Sequence, residues 1–228
     1  MPKNSTSLIA KSVAILRKDI RCEFRTRYAL NAILLFGITT LTVVSFSVGQ
    51  MNLEPAVYAS LFWIIIFFAA MSGLAQVFIR EEEAKTSTIL KLTADSTAVY
   101  LGKLVFNFFL LIILEVIITP MFIIMTDVNV QNFQLFLVIL FLGGIALVGT
   151  TTLIAALIAK AGVKGALFAV LSFPILLPLL IGAIEGTKKA LSPGAGFAAA
   201  SPEIQLLFAY SVVMITASLM LFEFVWND

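Results

Sequence analysis

Three consecutive carboxylates, Glu81, Glu82 and Glu83, stand between Arg80 and Lys85 and form the densest patch of chemistry in this sequence. Clustered acids can hold a metal ion, move a proton or pair with a basic partner, and each use needs different company. The chain has no histidine, so neither a zinc site of the H-E-x-x-H kind nor a Ser-His pair can be assembled. No G-x-x-x-x-G-K-[ST] sequence occurs, which excludes a P-loop for nucleotide. The chain is therefore expected not to be an enzyme, and no basic, aromatic-interleaved face points to nucleic acid. Recognition remains. From Arg80 to Asp95 the stretch also carries Lys91, and the Glu81 to Lys85 spacing of four with the Ile89 to Leu92 spacing of three predicts a short helix offering a small apolar face beside charge. We read it as a docking surface for a soluble partner.

The second chemical residue is Glu115, the one carboxylate well inside an apolar run. An acid in that position could bond to hydroxyls on another helix, relay a proton or approach a substrate, and structural and functional roles stand level.

These residues are positioned by an unusually apolar chain, with 61% hydrophobic and 12% charged residues. Several runs approach the roughly 20 residues that cross about 30 Å of hydrocarbon, so the fold class is an all-α polytopic membrane protein. The single cysteine, Cys22, rules out an internal disulfide.

Residues 7 to 27 place Ile9, Val13, Leu16, Ile20 and Phe24 at helical spacing, with Lys11, Lys18, Arg21 and Arg25 on another face. Such a helix is expected to lie in the membrane surface against lipid. Spanning runs follow at about 29–48, 56–79, 100–125 and 133–159, then up to about Ile184, and finally 204–225. The hydroxyl row Thr39, Thr40, Thr42, Ser45 and Ser47 reads as packing polarity. Asp95 or Ser96 is placed to cap the third run, and Pro120, Pro174 and Pro178 should bend their helices and free carbonyls. The stretch from Glu185 to Glu203 is expected to be too polar and broken to span. With a cytoplasmic N-terminus, six crossings leave only Lys188 and Lys189 outside, which puts both termini and the Arg80 to Asp95 stretch in the cytoplasm.

An interfacial first helix, six spans, a polar loop after the second and a broken outer segment before the sixth resemble the membrane subunit of type-2 ABC exporters. More narrowly, Phe78-Ile-Arg-Glu-Glu-Glu, Ser87-Thr-Ile-Leu-Lys-Leu, Tyr100-Leu-Gly-Lys103-Leu-Val-Phe-Asn107 and Phe173-Pro-Ile-Leu-Leu-Pro178 are similar to the haem exporter B subunit of cytochrome c maturation, the CcmB family. The family's Gly-Thr-Leu-Glu in the loop reads Ser87-Thr-Ile-Leu90 here.

The resemblance implies an elbow helix in residues 1–28 and a six-helix transmembrane domain in 29–228. Within that domain it implies a coupling loop at 80–96 and an outer broken segment at 185–203. It implies a plasma (inner) membrane location and a separate cytoplasmic ABC ATPase. That partner would dock on Arg80, Glu81, Glu82, Glu83, Lys85, Ile89, Leu90 and Leu92, with ATP bound on the partner. It further implies a haem-handling membrane subunit as partner, haem as cargo with no cofactor held directly, and a homodimer or a pairing with a second permease. Glu115, Asn107, Pro120, Pro174 and Pro178 are the candidates for a pathway or for helix packing. The function implied is haem export or release of a haem-loaded chaperone. A generic type-2 exporter for a lipid or drug, and a membrane scaffold that transports nothing, remain as alternatives.

Overall fold

In the computed structural model, residues 7–49, 51–74, 76–83, 85–160 and 166–227 are described, without the side chains of residues 82, 87, 88, 159, 160, 166–171, 225 and 227. Among them the regular structure is helix only. Ser7 opens α1 (Leu8–Thr26) by accepting the Ala10 N–H through its side chain at 3.3 Å. The helix ends at Arg27, whose left-handed φ of 51° turns the chain at once into α2 (Tyr28–Val48). Glu23 completes that corner by accepting the Leu30 N–H at 2.8 Å, so an acid of one helix caps the start of the next.

Pro55 starts α3 (Pro55–Gly73) at the position where a missing N–H costs nothing. Two short helices, α4 (Gln76–Glu83) and α5 (Ser87–Thr93), make up the polar stretch. The long α6 (Ser96–Thr126) has 31 residues, about 46 Å at 1.5 Å per residue, and so outruns about 30 Å of hydrocarbon. Asp95 stands at its cap position without a side-chain capping bond, contrary to expectation. Its carboxylate takes the Lys11 ammonium at 2.7 Å instead. The chain then runs through α7 (Phe133–Lys160), α8 (Ala166–Leu191) and α9 (Ser201–Asn227).

Five helices are long and apolar enough to cross a membrane among the described residues: α2, α3 continued to Glu81, α6, α7 and α9. α7 packs on α4, α6, α8 and α9, while α3 packs on α2, α6 and α8. Trp63 is wholly buried between them. Its ring lies where a Cβ on Gly143 would come within 2.3 Å, which only glycine allows, and its Nε1 donates to Thr187 on α8 at 2.8 Å.

The hydroxyl row on α2 behaves as packing polarity: Thr42 and Ser47 donate to carbonyls one turn back, and Ser45 reaches Met125 on α6 at 2.8 Å. Two differences stand out on α8. It continues through Pro174 and Pro178 and on to Leu191, so the first seven residues of the segment expected to be broken from Glu185 are helical. Lys188–Glu185 and Lys189–Glu203 pairs neutralise the polar groups there, so the helix can persist, and the non-helical stretch is confined to 192–200. Within the proline-bearing turn, the Ile175 carbonyl accepts from Tyr210 at 2.7 Å, which ties α8 to α9.

Candidate functional site

α1, α4 and α6 meet around Lys103, whose side chain is 0% exposed. Its ammonium donates to Glu81 at 2.8 Å, to the Val77 carbonyl at 3.1 Å and to Asp19 at 3.4 Å, and sits 5.0 Å above the Phe78 ring. All three of its protons thus have acceptors. Lys18 adds a second cation: it bonds to Glu81 and lies 3.1 Å from Asp19. Burial pulls the Lys18 ammonium down, but Asp19 and Glu81 outweigh it and hold it above its ordinary value, so it stays charged at neutral pH.

One turn along, Glu23 takes Arg80 at 3.1 Å, and Arg80 also donates to Thr26 at 2.9 Å and covers the Tyr28 ring. A cavity of about 110 Å³ lies beside these charges, lined also by Cys22, Gln76 and Phe106. Among the described residues no three Cys, Asp or Glu side chains converge as a metal-ligand set.

This geometry divides the residues read as one docking surface. Arg80 and Glu81 turn inward and bind α4 to α1 and α6, because the buried Lys103 ammonium and the buried Glu23 carboxylate would otherwise stand uncompensated. Glu83 and Lys85 are exposed, Lys85 in a left-handed conformation, and the Glu82 side chain lies outside the described residues. On α5, Ile89 is 63% and Leu92 83% exposed, while Leu90 packs partly into the core. Lys91 of the same helix lies 5.7 Å from the ring of Trp226 at the end of α9. A short helix is thereby pinned on one side and bare and apolar on the other.

The pathway candidates do not converge. Asn107 is buried and donates to Thr152 on α7 at 3.0 Å, a helix-packing bond. Glu115 and Pro120 line a groove between α6 and α7. Pro174 and Pro178 lie on the exposed face of α8 and are not part of that groove.

A family description, CcmB protein, matches residues 10–225, nearly the whole chain. The chain belongs to the CcmB protein family. With its apolar helices, this makes it a multi-pass transmembrane transport protein of cytochrome c biogenesis, a permease-type membrane component of haem export. No curated protein matches it.

Asp19, Glu23 and Lys103 were not singled out from sequence, and the signal was present. In residues 7–27 the only acids are Asp19 and Glu23, four apart and in register with Ile15. Those three are the buried residues of α1. The apolar residues Ile9, Val13 and Phe24 of this CcmB-family chain instead face outward. A lone lysine in the first turn of a long apolar run, as Lys103 is, points to buried acids elsewhere.

Proposed function

We propose that this chain is the membrane subunit of an ATP-driven complex in cytochrome c maturation, acting in haem export or in release of a haem-loaded chaperone. Six helices, α2, α3, α6, α7, α8 and α9, cross the plasma (inner) membrane, with both ends of the chain cytoplasmic. In support, Ser45 meets Met125 and Asn132 meets Ala190 at one end of the bundle, whereas Lys11 meets Asp95 and Lys91 meets Trp226 at the other. The second end holds Lys11, Arg17, Lys18, Arg21, Arg25, Arg27, Arg80, Lys85, Lys91 and Lys103, which the positive-inside rule assigns to the cytoplasm.

The observation that carries the reading is a bare apolar helix on a charged anchor. Ile89 and Leu92 of α5 offer the knob for a cytoplasmic ABC ATPase, with Glu83 and Lys85 at its rim. The Lys103 cluster makes α4, α1 and α6 move as one body when that ATPase closes. α1 lies along the inner surface with Ile9, Val13 and Phe24 in lipid. Without histidine, haem ligation belongs to a haem-handling partner subunit.

Haem staining of c-type cytochromes, in membranes with and without the gene, tests the function. Bands lost without it, restored by the intact gene and not by Ile89→Asp with Leu92→Asp, are expected. Bands retained without the gene would overturn it. A generic exporter would need the Glu115 groove and the Thr39 to Ser47 face in one cavity, and no α2 residue lines that groove.

A further inference from the structure

Arg27 stands at the corner between α1 and α2 with its side chain exposed, and among the described residues its guanidinium has no ion pair or hydrogen-bond partner. It lines a hollow between α1, α2 and α6. The acid in the same lining, Glu23, is already occupied: Oε1 accepts the Leu30 N–H and Oε2 the Arg80 guanidinium. Asn31, one turn on from Arg27, also lines the hollow, and its side chain is exposed and without a partner among the described residues. Two donors, one carrying a full positive charge, are thus left over at one spot.

Away from them the hollow is apolar. Phe106, Phe109, Leu110 and Ile113 recur at helical spacing down one face of α6 and line about 210 Å³, opposite Ile20 and Phe24 of α1. Phe24 and Phe109 are exposed at the rim, so the hollow opens on the outside of the bundle. Depth gives it a direction. Ser45 meets Met125, so α2 and α6 end at one level. The 21 residues of α2 measure about 31 Å, the thickness of the hydrocarbon, which leaves Arg27 at the opposite boundary. Counted back from Thr126, Phe106 lies about 30 Å and Ile113 about 20 Å away. The hollow therefore starts at headgroup level beside Arg27 and reaches about 10 Å into the acyl region.

We propose that this hollow binds one anionic phospholipid of the cytoplasmic leaflet, its phosphate on Arg27 and Asn31 and an acyl chain along the α6 face. A guanidinium matches a phosphate in geometry as well as in charge, and basic pockets between membrane helices select anionic headgroups. A free phosphate would leave the apolar wall uncovered, and a zwitterionic lipid would bring a cation of its own to Arg27. Only the choice of leaflet rests on the orientation proposed above, and ATPase docking at α5 plays no part.

The test places the purified full chain in nanodiscs of phosphatidylcholine with a small share of phosphatidylglycerol that carries a photo-reactive group part-way along one acyl chain. Adducts are mapped by mass spectrometry. Both leaflets hold the probe, so the result does not depend on which end of the chain is cytoplasmic. Adducts concentrated on residues 106–113 are expected, displaced by unlabelled phosphatidylglycerol and not by phosphatidylcholine or inorganic phosphate. Arg27→Gln lowers their yield about fivefold, the worth of one basic residue at an anionic membrane surface, and Arg27→Lys, which keeps the charge, retains most of it. Ile113→Trp fills the inner end of the hollow and lowers the yield with Arg27 in place. Adducts spread evenly over the lipid-facing helices, equal labelling by a phosphatidylcholine probe, displacement by inorganic phosphate, or a yield indifferent to Arg27→Gln would overturn the proposal. Loss of the adducts when the intact complex is probed in native membranes would assign the hollow to another subunit and overturn it too.

Discussion

Lys103 and Glu115 lie twelve residues apart on one helix, and both are buried, yet their surroundings are opposite. Lys103 has an acceptor for every proton, drawn from α1 and α4. Glu115 has an orphan oxygen against a glycine and an open groove. Charge that a chain pairs by itself joins its own elements, whereas a lone buried carboxyl stays neutral and joins nothing. The first region fixes α1, α4 and α6 together, and the second lets α6 and α7 lie side by side without a bond.

Stability measurements on the purified chain in detergent can break this contrast. The largest loss is expected at Lys103→Ala, about 3 kcal/mol, because Asp19 and Glu81 keep their burial and lose the more buried of their two shared cations, Lys18 alone remaining. A loss under about 1 kcal/mol would mean that the cluster is solvated and the contrast false. Gly143→Val drives a side chain into the Trp63 ring and should cost about 1–3 kcal/mol, read as a lower thermal midpoint. Glu115→Leu should change stability by less than about 1.5 kcal/mol in the isolated chain, since no bond is lost. A loss equal to that of Lys103→Ala would show that Glu115 already has a partner inside the chain. The smallest effect, under about 1 kcal/mol, is expected for Lys11→Ala, whose pair with Asp95 is exposed to solvent and salt.

Helices were legible in the sequence because apolar runs of spanning length admit little else, and the starts of α2, α3 and α7 fall where the runs begin. The fate of individual charges was not. Arg80 and Glu81 sit in the same run as Glu83 and Lys85, yet the first two turn inward and the last two outward. That difference depends on Asp19, Glu23 and Lys103, which arrive from distant parts of the chain. The persistence of α8 to Leu191 likewise rests on a partner fourteen residues away, Glu203 on Lys189. Local polarity predicted a break that tertiary ion pairs removed.

The direct measurement of the central claim is the amount of ATPase that copurifies with this chain carrying Ile89→Asp and Leu92→Asp. Both residues are exposed and neither belongs to the Lys103 cluster, so the variant should insert at the normal level and lose the ATPase. Undiminished copurification would contradict docking at α5.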